Sequence, residues 1–272
     1  MATSAPPPVS DPANPNRRRT RIISVALGVV LAVVVGTVLE RTTRSSTPNP
    51  QTAFEPSLAK AVPRPIATMP LVDQLGRTTD LARFKGRVVV LADFLTSCQE
   101  ECPVSTGAFL QLEQDLRADH LASKVAIVEV TIDPARDTPA RLAAYERFTG
   151  VDWTLLTGTR AQIDTFWRHF GASYDKVPNS AHDAGATDWE TGKPYTYDMN
   201  HSNNVFLLDA SGHERLITAG LPSIQGALPH NLASLLSPVG VANLKHPGFG
   251  AWTVGDLASA VGSLLRQSVA SR

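Results

Sequence analysis

The sequence is poor in the features that mark several functional classes. Only 18% of its 272 residues are charged, and 25 Lys+Arg balance 25 Asp+Glu. A basic nucleic-acid surface is therefore not indicated. With two cysteines, Cys98 and Cys102, the chain has neither a disulfide framework nor a four-cysteine zinc site. No internal repeat is visible. The 20 prolines gather in the first 70 residues and in a few loops, with no collagen-like period.

The neutral balance conceals an asymmetry. Arg17, Arg18, Arg19 and Arg21 form a basic cluster, and from Glu40 onward 21 basic residues face 24 acidic ones. Residues 22–39 follow the cluster as an uncharged, almost wholly apolar run of 18. At about 1.5 Å per helical residue, such a run spans most of a hydrocarbon core of roughly 30 Å. The arginines before it place the N-terminus in the cytoplasm and the remainder outside. The rival reading is a cleaved signal peptide, but the run is long and no A-x-A site follows near Val38–Thr43, which favours an uncleaved anchor. The domain scheme is thus a disordered basic tail over 1–21, a transmembrane anchor over 22–39, a flexible tether over 40–68 and a globular, extracytoplasmic domain over 69–272.

Within that domain, short hydrophobic runs alternate with helical patterns. A hairpin is expected over 69–80, a buried strand over 88–95, a helix over 104–116 and a second strand over 125–132. A helix over 138–148 takes Asp137 as N-cap and Pro139 in its first turn, and another runs from 159 to Gly171. Strands over 204–208 and 214–218 and an amphipathic helix over 254–267 complete an α/β layer fold with a central sheet. Two stretches, about 175–198 and 220–253, read as insertions or long loops.

Cys98 and Cys102 come straight after the first buried strand, at the start of a helix. At spacing i, i+4 on one helical face their sulfurs converge, and a helix N-terminus favours the thiolate. Two such sulfurs suit a soft ion such as Cu(I), but the same pair can form a structural disulfide or exchange thiols. Three intervening residues count against an ordinary thioredoxin-type active site. Those residues, Gln99, Glu100 and Glu101, favour a bound cation and oppose thiolate formation. Among seven histidines His201 is best placed, in a loop directly before a buried strand. His120 and His169 sit late in predicted helices, and His182, His213, His230 and His246 sit in loops or turns.

The order FLTSCQEECP, TIDPARDTP, LTGTRAQIDTFWRHFG and NHSNNVFLLDASG resembles the SCO/SenC proteins, copper-handling factors of cytochrome c oxidase assembly. The resemblance runs from about Met69 to Thr218. It implies a thioredoxin-like fold behind an N-terminal membrane anchor, with Cu(I)/Cu(II) held by Cys98, Cys102 and His201. It also implies a copper-accepting partner, the dinuclear site of oxidase subunit II. The alternative function is a thiol–disulfide oxidoreductase working through Cys98 and Cys102. A thiol peroxidase is weaker, because no peroxide-activating arginine motif is present. One departure concerns the residue before the ligand histidine, commonly Asp in the family and Asn200 here, which removes an expected orienting acid. Asp133 and Asp137 of TIDPARDTP read as architectural, ending a strand and starting a helix.

Overall fold

A computed structural model describes residues 53–57, 60–179, 186–247 and 252–270. The anchor expected over 22–39 lies outside these residues. Among the described residues no helix is long and apolar enough to cross a membrane.

β-branched and aliphatic residues build the centre of the sheet. Strand β4 (Val88–Phe94) is buried along its whole length. It pairs in parallel with β5 (Val125–Thr131) and antiparallel with β9 (Asn204–Leu208), both also fully buried. Burial on both faces is why these runs lack polar alternation. Outward lie β6 (Thr154–Thr157), β2 (Leu71–Asp73) and β3 (Thr78–Thr79) on one side, and β10 (Glu214–Ala219) and β1 (Glu55–Pro56) on the other. The eight-stranded order is β1-β10-β9-β4-β5-β6-β2-β3.

Helices cover both faces. In β4, Phe94 meets Tyr145 of α3 (Pro139–Thr149), above which lies α2 (Cys102–Ala118). Leu91 points the other way, beside Phe206 of β9, and there Trp167 and Phe170 of α4 (Arg160–Phe170) pack. The final helix, α7 (Val254–Ala270), packs with α2. The parallel β4–α2–β5 unit followed by β9–β10–α7 gives the thioredoxin-like arrangement that the resemblance implies, a mixed sheet flanked by helices.

Several boundaries differ from expectation. The packed unit begins before Met69: Phe54 is buried against Trp252, and α1 (Arg64–Ala67) buries Ile66. Helix α3 is capped by Thr138, whose hydroxyl accepts from Arg141 N, because the Asp137 oxygens are taken by other donors. The stretch 175–198 begins and ends in a two-stranded sheet, β7 (Tyr174–Val177) with β8 (Asp198–His201). The stretch 220–253 carries two short helices, α5 (His230–Ala233) and α6 (Pro238–Lys245). β7 and β8 escape a pattern reading because their residues are polar and pair chiefly with each other.

Candidate metal centre

Cys98 lies in the turn that leaves β4, its amide donating to Leu95 O at 3.2 Å. It precedes the helix, contrary to the expectation of two cysteines on one helical face. Cys102 is the first residue of α2, and its N–H donates to Cys98 Sγ at 3.3 Å. A cysteine sulfur thus satisfies one of the free amides at a helix start whose N-cap, Glu101, provides no side-chain acceptor. His201 ends β8, and its Nε2 comes within 3.8 Å of Cys102 Sγ. The ligand atoms of Cys98, Cys102 and His201 all lie within 4.8 Å of one another, the one such group found among the described residues.

The imidazole is oriented by an acid that sequence reasoning missed. Asp93 Oδ2 accepts from His201 Nδ1 at 3.1 Å, and Asp93 Oδ1 accepts from Asn204 N at 2.5 Å. A proton held on Nδ1 directs Nε2 towards the sulfurs. Asn200, where the family pattern has the acid, is exposed on the other face of β8. The signal was present as a carboxylate in an otherwise apolar strand, which needs a partner when buried.

Charge is distributed unequally over the three donors. Contact with the Cys102 sulfur, opposed by burial and reinforced by His201, holds the Cys98 thiol well below its usual range. Burial, then the neighbouring Cys98 sulfur, pushes the Cys102 thiol well up, so the pair is not two equally ready thiolates. Burial disfavours a charged His201 ring, but its bonds to Asp93 and Cys98 prevail and raise it to about 10. A metal ion taking these atoms therefore displaces protons. Two thiol sulfurs and one imidazole form a soft donor set that fits copper in either oxidation state. Beside them opens a cavity of about 380 Å³, walled by Cys98, Glu100, Glu101, Met199 and His201 among others.

Two more features fix the geometry. Asn203, with φ 44° and 3% exposed, donates its amide Nδ2 to Ser105 Oγ at 3.3 Å and to Gly220 O at 3.1 Å. It ties the His201 loop to α2 and to the end of β10. The 220–253 stretch also buttresses the cysteines: Ser237 N donates to Gln99 O at 2.8 Å. A Cβ on Gly240 of α6 would stand 2.3 Å from that same oxygen. Only glycine permits this approach.

Asp133 and Asp137 are architectural, as read. Asp137 accepts from Thr96 N, Thr96 Oγ1 and Thr131 Oγ1, binding the strand end before Cys98 to the loop after β5. Asp133 accepts from Tyr197 OH at 2.9 Å and pairs with Arg136. None of the other described histidines joins the cluster. His182 lies outside the described residues.

The model of the SCO1/SenC family matches residues 65–220. A putative copper-binding protein of Stutzerimonas stutzeri is 30% identical over 152 residues, covering 56% of this chain and 68% of that one. A SCO2-like protein of Rickettsia conorii is 28% identical over 142 residues, 52% of this chain and 63% of its own length, so the chain spans less than two thirds of that relative. Among solved structures, ScoI of Arabidopsis thaliana with copper bound superposes with a TM-score of 0.51 at 16% identity, covering 73% of this chain and 96% of that one. That likeness supports the fold. Since the family model spans more than half of its residues, the chain belongs to the SCO1/SenC family.

Proposed function

We propose that the protein is a membrane-anchored copper chaperone. It takes up Cu(I) or Cu(II) at Cys98, Cys102 and His201 and passes it by ligand exchange to the dinuclear copper site of cytochrome c oxidase subunit II. The observation that carries this reading is the convergence of two sulfurs and an Asp93-oriented imidazole within 4.8 Å, beside an open cavity. Transfer needs such access, because an incoming ligand must reach the ion before the donors release it. Copper bound in the Arabidopsis relative and the copper-binding name of the Stutzerimonas relative support the choice of metal. Residues 22–39 would hold the domain at the outer membrane face, with 1–21 in the cytoplasm and the chain between 39 and Phe54 as the link to the domain.

A second reading, thiol–disulfide exchange, is favoured by the partial exposure of Cys98 and its lowered pKa beside a buried Cys102. Cys98 thiolate would attack an acceptor disulfide, and Cys102 would resolve the mixed disulfide. Two electrons leave the cysteine pair, and two acceptor thiols are released.

Two mixtures separate the readings: the copper-loaded full chain with the reduced, metal-free copper domain of subunit II, and the reduced, copper-free full chain with the same domain in its disulfide form. Delivery is supported if the acceptor gains its copper absorption as the donor loses copper, and if His201→Ala abolishes the transfer. Reduction of an acceptor disulfide at an unchanged rate in His201→Ala, with no copper moving, would replace delivery by thiol exchange.

A further inference from the structure

Alternate residues along 197–201 share one face, and that face looks onto the C-terminal ends of β4 and β5. Tyr197, directly before β8, donates its hydroxyl to Asp133 just beyond β5, while His201 meets Asp93 in β4. Strand alternation sets Met199 between them on the same side. The burial agrees: Met199 is 5% exposed, whereas Asn200 beside it faces solvent. Met199 also walls the cavity that Cys98 and His201 line. An unbranched side chain with three rotatable bonds can reposition its sulfur without moving the backbone. A thioether is a soft, neutral donor that prefers Cu(I) to Cu(II).

The three ligand atoms already described come from the turn after β4, the start of α2 and the end of β8. An ion among them would have the cavity on one side, and Met199 is the residue there, besides Cys98, that carries a sulfur. Packing alone would accept Leu or Val at this buried position, since both fill apolar space without a donor.

We propose that Met199 supplies a fourth, weak thioether contact to copper held by Cys98, Cys102 and His201. That contact biases the site towards Cu(I) and yields to a stronger ligand from the acceptor. The inference rests on the copper reading above and adds a residue of this chain to it.

The test is copper K-edge X-ray absorption on the Cu(I)-loaded, reduced full chain, beside Met199→Leu and Cys98→Ser. Chelator competition gives the Cu(I) and Cu(II) affinities of each. The expected result is a long copper–sulfur scattering component in the parent that is missing from Met199→Leu. Cu(I) affinity should then fall roughly tenfold, the lower end of what supporting groups around metals contribute, with Cu(II) affinity little changed. The parent spectrum needs no variant to fold. One copper per chain with the same scattering in parent and Met199→Leu, and equal Cu(I) affinities, would overturn the role of Met199 while leaving the copper site intact. Absence of copper, or copper indifferent to Cys98→Ser, would overturn both.

Discussion

Two polar clusters sit side by side at the C-terminal ends of β4 and β5, and they differ in what they leave unsatisfied. Around Asp137 the acceptors are closed: its two oxygens take three donors from Thr96 and Thr131, and Arg141 stands 3.7 Å away. Around Cys98 and Cys102 the groups behind the ligands are satisfied, but the ligand atoms themselves are not. Asp93 is fully used by His201 and Asn204, while Nε2 and two sulfurs face one another across a solvent-reached gap. A closed cluster holds a loop in place. A cluster with spare soft valence, held from behind, binds an ion. Thr96 joins the two, so the first supports the second.

The largest effect is expected in the closed cluster. Asp137→Ala strands the Thr96 and Thr131 donors and leaves Arg141 with less opposing charge, and should cost about 3–5 kcal/mol of stability in urea unfolding. A loss below about 1 kcal/mol would deny it a supporting role.

Glu129 sharpens the contrast, since this buried acid has a single donor, Trp153 Nε1 at 2.7 Å. Burial, partly offset by that bond, raises it from 4.5 to about 7. The folded state thus binds its proton more tightly than the unfolded state, so its contribution to stability is full below 4.5 and is lost as pH rises through about 7. Glu129→Gln keeps the indole bond and has no proton to lose. Unfolding at pH 5 and pH 8 should show the variant gaining on the parent with pH, by about 2–3 kcal/mol at the upper end. A constant difference between them would contradict this.

In the open cluster, Asp93→Asn should weaken copper binding by roughly 10–100-fold, read by chelator competition, because His201 loses its orienting carboxylate. Asn200→Asp should restore little, since residue 200 faces outward. The smallest effect separates two glycines. Gly240→Ala drives a methyl into the Gln99 carbonyl oxygen and should cost about 1–3 kcal/mol along with copper affinity. Gly107→Ala meets the flexible end of Leu228 and should leave the metal site intact. Equal copper affinities in the two variants would remove α6 from the account.

Much of this was legible in the sequence, and unevenly so. The central strands show as nearly continuous apolar runs because both of their faces are buried. The three ligands show because the cysteine spacing and the histidine before a strand form a recognisable order. Asp93 was hidden within that same apolar logic, although a lone acid in VVVLADFL was a visible anomaly. Thr138 lost the cap to Asp137 on paper because both residue types cap helices, and only the tertiary bonds from Thr96 and Thr131 decide between them. The closeness of Gly240 to Gln99 joins residues 141 positions apart and leaves no local trace. Asn203 is similar, since its left-handed backbone and its bond to Gly220 exist only once β8, β9 and β10 have met.

The most direct measurement is copper titration of the reduced full chain, with metal analysis and absorption spectra, beside Cys98→Ser, His201→Ala and Asp133→Asn, the last keeping an acceptor for the Tyr197 hydroxyl. One copper per chain, with thiolate charge-transfer bands lost in the first two variants and kept in Asp133→Asn, is the result the account predicts. Copper held equally well by all four proteins, or by none of them, would contradict it.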